Sequence, residues 1–357
     1  MNSIKGLIKN GRIWTGKEFV LGDVAIDNGI VVGLGGKQEI DGWFEFDAKG
    51  AIISAGLVDT HMHMQNISCD EFGIPAESSC YPFGVTTAND ASAEKGTKEY
   101  ISKLSIGASC FVCVKTRDNH ADLDDARKRL EEYGEYALGL KVFFDTSDKG
   151  LRDATPLKEV VAFAKEKGLK VMVHTTNSPI KAYEIVEILS SGDIFTHIYH
   201  GGNNQTLEDD YLAFKLAKQK GVIMDAGMAG GVHTDFKVAK TCIENGFIPD
   251  TISTDLTCCS AFMRGGKYGM TECLSILHYL GMSEEELLLA TTHNAALALG
   301  KADECGMLKV GGVADIAVLD YTDNGFDITD KASNNIKCDK GYECLLTIKR
   351  GCVVYRR

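Results

Sequence analysis

Six residues of metal-binding or metal-bridging type are spread along the 357-residue chain, each beside a short apolar run. They are His61, His63, Lys141, His174, His197 and Asp255. His61 and His63 stand two positions apart on an extended segment, so both imidazoles point to the same side and can reach one ion. Imidazole suits zinc and its neighbours, and Asp255 adds a hard oxygen ligand. The pair alone could equally be structural, but the whole set predicts a metal site.

Lys141 is the unusual member of this set, because an ammonium group beside divalent cations would be repelled. Burial lowers the pKa of a lysine and makes its free amine available. A free amine can take up carbon dioxide, and the two oxygens of the resulting carbamate can bridge two metal ions. The alternative is a lysine whose stem is buried while its head reaches solvent. Both interpretations stay open at the level of the residue alone.

The region from residue 57 to 305 alternates short apolar runs with amphipathic segments. Eight runs have the length of buried strands: 57–59, 84–88, 107–114, 138–143, 170–174, 193–198, 221–225 and 251–255. Apolar residues recur at helical spacing in several intervening stretches, such as 156–167 and 211–220. Eight strand-then-helix units predict an α/β protein with a (β/α)8 TIM barrel. A doubly wound open sheet usually has fewer strands and often a glycine-rich first turn, which residues 58–63 do not form.

The two ends of the chain have a different pattern from the middle. Residues 1–56 and 306–357 contain short strand-like pieces and turns, and Asn28-Gly29 is a hairpin signal. We expect these ends to pair into one small, discontinuous β-sandwich domain beside a barrel domain at 57–305. Because active sites of such barrels lie at the C-terminal ends of the strands, the six candidate ligands are expected to meet there.

Composition excludes several classes of partner. The chain has 38 basic and 50 acidic residues, and this balance argues against a nucleic-acid partner, whose phosphates need Lys and Arg. No apolar run reaches about 18 residues and the start does not resemble a signal peptide, which predicts no membrane association and a cytoplasmic protein. The 12 cysteines are expected to be reduced and mostly buried. Cys110 and Cys113 form a CxxC on a strand, where they point to opposite faces and should be packed thiols.

In combination, these residues resemble the amidohydrolase superfamily. The motifs that carry the resemblance are GLVDTHMH at 56–63, Lys141, His174, Thr196-His197, ISTD at 252–255, NAALALG at 294–300 and GVADIAVLD at 312–320. Within the superfamily, the runs at 191–197 and 246–256 are similar to those of deacetylase-like, D-aminoacylase-related metallohydrolases. The resemblance covers nearly the whole chain, so it bears on both the fold and the site.

The resemblance implies a centre of two divalent ions, with zinc as the expected metal. One ion would be held by His61, His63 and Asp255, and the other by His174 and His197. Carbamylated Lys141 and a hydroxide would bridge the ions, which together lower the pKa of the shared water and stabilise the oxyanion. Asp255 would accept the proton of the hydroxide and pass it to the leaving group.

The implied activity is that of a metal-dependent hydrolase acting on an amide, cyclic amide or ester bond of a small molecule, as deacetylases and dihydroorotases do. One alternative is an aminohydrolase that deaminates a heterocycle, and another is a non-catalytic barrel scaffold. Deaminases of this kind usually carry a glutamate three residues after the strand-five histidine, where this chain has Asn177, and they do not need Lys141. Hydrolysis is therefore the favoured hypothesis.

The substrate itself is not indicated by the motifs. Residues 142–145 and 227–233 depart from the pattern of the relatives in loops that should face the substrate. Candidate substrate contacts are His200, Asn203, His233 and Cys258. Asp225, at the end of the seventh run, is expected to be a buried, hydrogen-bonded carboxylate. A small molecule is the expected partner, and assembly into a homo-oligomer is compatible with the sequence.

Overall fold

The computed structural model describes residues 3–64, 72–93, 96–147, 151–263 and 267–357. The chain begins with five strands: β1 (Gly6–Trp14), β2 (Phe19–Asp27), β3 (Ile30–Leu34), β4 (Phe44–Asp47) and β5 (Ile52–Ala55). The turn between β2 and β3 lies at Asn28-Gly29, where both residues have positive φ values of 51° and 78°. This is the hairpin geometry that an Asn-Gly pair favours.

From residue 57 onward, strands alternate with helices. The strands are β6 (Leu57–Met62), β7 (Val85–Ala93), β8 (Gly107–Val114), β9 (Thr116–Arg117), β10 (His120–Ala121), β11 (Ala137–Phe143), β12 (Lys170–His174), β13 (Ile194–Thr196) and β14 (Ile223–Asp225). The helices are α1 (Ala76–Cys80), α2 (Thr97–Ile101), α3 (Leu123–Tyr133), α4 (Thr155–Lys167), α5 (Ala182–Ile188), α6 (Glu208–Lys220), α7 (Phe236–Glu244), α8 (Cys258–Met263), α9 (Met270–Tyr279), α10 (Glu284–Thr291) and α11 (His293–Ala298).

Helix α4 illustrates why these segments are helical and where they end. Pro156 occupies the first turn, where a missing N–H costs nothing, and Gly168 ends the helix with a φ of 67°. Leu157, Val160 and Ala164 are buried on one face at helical spacing. The amphipathic pattern of this stretch therefore both forms the helix and attaches it to the barrel.

Seven of the strands form one parallel sheet in the order β14-β13-β12-β11-β8-β7-β6. The eighth predicted run, residues 251–255, is not a regular strand, which corrects that part of the sequence interpretation. It nevertheless closes the ring, because Thr251 bridges Asp225 at the end of β14 and Leu256 bridges Met62 in β6. Its backbone also bonds to side chains such as Asp59, which replaces part of the regular ladder. The fold is a (β/α)8 barrel.

The chain ends with five further strands: β15 (Ile316–Thr322), β16 (Phe326–Thr329), β17 (Asn335–Cys338), β18 (Gly341–Lys349) and β19 (Cys352–Arg356). Strands from both ends share one sheet in the order β19-β18-β15-β5-β1-β2-β3, and β4 pairs with β1. Strand β4 and the β16–β17 hairpin were not predicted, because both are short and lack a long apolar run. The exact domain boundaries, 1–56 with 306–357 and 57–305, stay a prediction.

Three hydrophobic clusters are present among the described residues. The largest joins the barrel strands to the surrounding helices, and a small one joins residues of the barrel strands, such as Met172, to α11. The third, with Ile8, Ile53 and Val318, belongs to the sheet of the chain ends. Cys110 and Cys113 are both buried in β8. Among the described residues, no helix combines the length and the apolar character needed to cross a bilayer.

Candidate metal centre

The six predicted ligands lie together at the end of the barrel where the carboxyl ends of its parallel strands meet. His61 is in β6, Lys141 in β11, and His174 ends β12. The remaining three follow strand segments closely and are His63, His197 and Asp255. All six side chains are buried. The barrel thus brings together residues that are up to 194 positions apart (255 − 61).

Asp255 is the residue that links the two sides of the cluster. Its Oδ1 lies 3.2 Å from Nε2 of His61 and 3.0 Å from Nε2 of His63, and its Oδ2 lies 4.0 Å from Nε2 of His197. Burial alone would raise the pKa of Asp255, but the charge of His61 and hydrogen bonds from His61 and His63 outweigh it and hold the pKa well below its usual range. Asp255 is therefore an ionised carboxylate.

Lys141 is among the most deeply buried side chains of the protein, with an exposed fraction of 0%. Its Nζ lies 3.3 Å from Nε2 of His61. Burial lowers the pKa of Lys141 to about 8, against the attraction of Asp255 and Asp225, which favours the charged form. The head group does not reach solvent, so the alternative of a packed stem with an exposed ammonium does not describe this lysine.

His174 and His197 form the other side of the cluster, with ring centroids 4.5 Å apart in an edge-to-face arrangement. Nδ1 of His197 donates a hydrogen bond of 2.7 Å to the carbonyl oxygen of Gly227. Nε2 of His197 therefore faces the cluster, and it is buried with no hydrogen-bond partner among the described residues. A buried nitrogen without a partner needs an explanation, and an ion is one that fits an imidazole.

Contacts behind the imidazoles fix which ring nitrogen faces inward. Nδ1 of His61 lies 3.1 Å from Oγ1 of Thr196, and Nδ1 of His63 lies 2.8 Å from Oγ of Ser92. In both rings Nε2 then points to Asp255. Such contacts orient metal-binding imidazoles and set their tautomer in known metal sites.

The backbone is strained at two of the six positions. His197 has a φ of 65° and Asp255 a φ of 47°. Both values lie in the left-handed region, which residues other than glycine seldom adopt. Such a conformation costs about 1–3 kcal/mol and persists only where the surroundings enforce it. Because both residues belong to the same cluster, the strain indicates that their positions serve the site.

Asp59 accepts hydrogen bonds from the chain segments that carry the cluster, and it was not singled out in the sequence. Its carboxylate accepts hydrogen bonds from the backbone N–H groups of His61, at 3.2 Å, and Thr254, at 3.1 Å, and a third from the Thr254 hydroxyl at 2.5 Å. Burial raises the pKa of Asp59 to about 6, although these donors oppose the shift. Asp59 thereby ties the end of β6 to the closing segment next to Asp255. Its place two residues before His61, facing the same side of a strand, was the available signal.

Asp225 is buried and hydrogen-bonded, as the sequence predicted. Its carboxylate accepts hydrogen bonds from four hydroxyl groups at 2.6–3.3 Å, those of Thr60, Thr196, Thr251 and Ser253. These donors come from three parts of the barrel that are distant in the sequence: β6, β13 and the closing segment. Asp225 therefore holds together the strand ends that carry the cluster.

Replacing Asp225 by alanine should lower the free energy of unfolding by about 3 kcal/mol or more, because several buried hydroxyl groups lose their common acceptor. Urea unfolding followed by circular dichroism measures the change. Asp303, whose side chain is exposed, offers the matched control variant Asp303→Ala. A loss below about 1 kcal/mol in Asp225→Ala would show that the hydroxyl groups find other acceptors at little cost.

The four predicted substrate contacts have different surroundings. His233 joins the cluster, with its ring centroid 4.4 Å from that of His197. His200 is buried and its Nδ1 accepts a hydrogen bond from the backbone of Gly202, in its own loop. Asn203 is exposed in the same loop, and Sγ of Cys258 lies 2.7 Å from the carbonyl oxygen of Gly73. Of these four, His233 is the residue whose contacts with the cluster are seen.

Two phenylalanine side chains flank the cluster. Phe72 was not singled out in the sequence, whereas Phe143 belongs to residues 142–145, which were expected to face the substrate. The ring of Phe72 lies 4.7 Å from that of His63, and the ring of Phe143 lies 5.6 Å from that of His174. Both remain partly in solvent, with exposed fractions of 49% and 37%. Side chains that contact both the buried imidazoles and solvent form apolar walls at the mouth of the site.

Comparison with known proteins gives a family match and similar proteins for this chain. A model of the amidohydrolase family matches residues 52–354. The sequence is 33% identical over 306 residues to a deacetylase of Agrobacterium fabrum, covering 80% of this chain and 74% of that protein. It is 31% identical over 319 residues to a deacetylase of Brucella anthropi, covering 83% of this chain and 78% of that one.

Solved structures resemble the whole chain. The crystal structure of a dihydroorotase superposes with a TM-score of 0.85 at 26% identity, covering 98% of this chain and 97% of that one. The crystal structure of an adenine deaminase superposes with a TM-score of 0.84 and covers 99% of this chain and 100% of that one. At 21% identity, this second likeness concerns the fold alone.

Proposed function

The chain belongs to the amidohydrolase family, and from this membership we propose that it cleaves small-molecule amides at a two-zinc centre bridged by carbamylated Lys141. The protein is a hydrolytic enzyme that acts on carbon–nitrogen bonds. The identity of the metal, the modification of the lysine and the role of each residue are the content of the proposal. The cytoplasmic location expected from the sequence is also part of the proposal.

The residues present fit a pair of divalent ions. The set combines imidazoles with a carboxylate, which suits zinc better than Mg²⁺ or Ca²⁺, whose sites use oxygen ligands. We assign His61, His63 and Asp255 to one ion and His174 and His197 to the other. The observation that supports this most directly is Nε2 of His197, which is buried without a hydrogen-bond partner among the described residues.

Lys141 has the position and the chemistry of a bridging ligand. Its Nζ is buried next to His61, and its lowered pKa increases the fraction of free amine near neutral pH. Addition of carbon dioxide to that amine forms a nitrogen–carbon bond and releases one proton, leaving a carbamate with a single negative charge. The carbamate would replace a cation by an anion at the centre of the site, where two cations require negative charge.

Asp255 is the residue that we propose moves protons. The ions, when bound, supply an activated water and polarise the carbonyl group of the substrate. Asp255 is ionised and buried, and its two oxygens face different sides of the cluster. It can accept a proton from the water and deliver it to the leaving nitrogen, which is general base and then general acid catalysis.

The same geometry argues against deamination as the principal activity. The position expected to hold an acidic group in a deaminase is Asn177, whose side chain cannot protonate a ring. Lys141, which such enzymes do not need, is buried at the centre of the site. The likeness to an adenine deaminase structure concerns the fold. Release of ammonia from a substrate would indicate deamination.

Metal analysis and a substrate panel test the proposal together. We expect close to two zinc ions per chain, and release of a carboxylate from one class among N-acyl amino acids, hydantoins, lactams and simple esters. The walls formed by Phe72 and Phe143 make apolar acyl groups a useful part of the panel. One ion per chain with ammonia as the product would favour the deaminase. No bound metal in carefully prepared protein would favour the scaffold and contradict the proposal.

A further inference from the structure

His233 lies closer to the cluster than a residue of the outer pocket wall needs to be. It follows the short turn Ala229–Gly231 in the loop after β14. Its ring centroid lies 4.4 Å from that of His197 and 4.9 Å from that of His174. Its Nε2 lies 3.8 Å from Oδ2 of Asp255. His233 is thus in contact with three of the six proposed ligands.

The orientation of the ring is fixed from behind. Nδ1 of His233 lies 3.1 Å from Oγ1 of Thr176, on the loop after β12. This contact has the same form as those behind His61 and His63, where a hydroxyl group engages Nδ1 and leaves Nε2 facing inward. Nε2 of His233 is therefore presented to the cluster in the same way as the nitrogens of those two histidines.

Three imidazoles converge on the side of the cluster away from His63. One ring nitrogen from each of His174, His197 and His233 lies within 4.8 Å of the others, close enough for small movements of the rings to bring all three to one ion. Nε2 of His197, which lacks a hydrogen-bond partner among the described residues, belongs to this group. We infer that His233 is a third imidazole ligand of the ion proposed at His174 and His197, and that this position takes a divalent metal such as zinc or cobalt.

This inference rests on the proposed two-ion centre and changes what is expected of it. An ion held by two histidines depends strongly on the bridging carbamate. An ion held by three histidines has the protein ligand number of a catalytic zinc site without it. The position formed by His174, His197 and His233 should therefore keep its ion when Lys141 is unmodified. At the other position, metal binding by His61 and His63 depends on the carboxylate of Asp255.

Metal titration of the purified full chain tests the inference without reference to catalysis. After removal of metal with a chelator, the wild type and His233→Ala are titrated with Zn²⁺ by calorimetry and with Co²⁺ by absorption spectroscopy. We expect His233→Ala to bind one of its two ions about 100-fold more weakly or worse, since losing even a residue behind a ligand costs about 10–100-fold in affinity. The cobalt spectrum should change, because the ion loses a nitrogen ligand.

Two further variants make the experiment specific. His233→Cys should restore much of the affinity, since a thiolate is a zinc ligand. His120→Ala is the matched control, because His120 is exposed and pairs with Glu159 at the surface. It should bind metal as the wild type does. Thermal unfolding by circular dichroism establishes that each variant is folded.

The outcomes separate this inference from the proposed function. Unchanged zinc affinity and an unchanged cobalt spectrum in folded His233→Ala would overturn the inference, and a raised KM alone would then identify His233 as a substrate contact. Failure of the wild type to bind any metal would contradict both. Binding of two ions that depends on His233, with no hydrolysis of any substrate in the panel, would contradict the proposed function and leave the third ligand established.

Discussion

Lys141→Ala is expected to lower kcat/KM by about 10³-fold or more, because the lost bridge removes several kcal/mol of stabilisation from the reaction at the metal pair. The metal content should fall from about two ions per chain towards one, since the ions lose the carbamate that would bridge them. Steady-state kinetics on the best substrate of the panel and elemental analysis of the same sample measure the two effects.

Chemical rescue distinguishes a bridging carbamate from a structural lysine. Short carboxylic acids such as acetate or propionate can occupy the space vacated in Lys141→Ala and supply a carboxylate at the same point, so they should restore part of the activity. Lys141→Met, which fills that space with an apolar side chain, should not respond to them. Lys128→Ala is the control, since Lys128 is exposed on α3. A fully active Lys141→Ala would show that the carbamate has no role.

Asp255→Asn should lower kcat by about 10³-fold on amide substrates, because the amide side chain keeps the shape of the carboxylate but cannot accept and return a proton. The contacts of the native side chain, 3.2 Å to His61 and 3.0 Å to His63, allow Asn to occupy the same place. Kinetics at saturating substrate, with the metal content of each sample determined in parallel, measure the loss per loaded site.

The choice of leaving group separates proton transfer from metal binding. An activated ester, whose leaving group needs no proton, should suffer less from Asp255→Asn than an amide, whose leaving nitrogen must be protonated. Asp303→Asn, at an exposed position, is the control. Equal losses on both kinds of substrate, together with a loss of metal, would mean that Asp255 acts only as a ligand and that another residue transfers the proton.

The barrel strands show which parts of the fold a local sequence pattern can predict. Runs 107–114 and 170–174 coincide with β8 and β12, because apolar stretches this short that contain β-branched residues favour a buried strand over a helix. Residues 251–255 carry the same kind of pattern, but Thr251 and the following residue, Leu256, form single bridges on either side instead of a ladder. Bonds from this segment to Asp59 and Asp225, which are distant in the sequence, decide its conformation.

Among the site residues, too, local patterns predicted some features, and contacts between distant segments decided the others. The six metal-binding candidates stand at the ends of apolar runs, so the rule that strand ends converge was enough to group them; their assignment as ligands stays a prediction. Phe72 escaped notice because a phenylalanine in a loop has no distinctive spacing. Asp59 escaped notice because its one signal, a place two residues before His61 on the same strand face, does not by itself indicate a role. His233 was recognised only as a candidate substrate contact, since its loop gives no indication of how closely it approaches His197.

The sequence by itself determined the family and the barrel and grouped the six candidate ligands, because strand periodicity and residue type can be read from short stretches of chain. Only the tertiary structure decided that Lys141 is fully enclosed, that Nε2 of His197 faces the cluster with no hydrogen-bond partner in the described part of the chain, and that a third imidazole lies beside it. The physical reason is that enclosure and ring orientation depend on contacts between segments far apart in the chain, and no local pattern records those contacts.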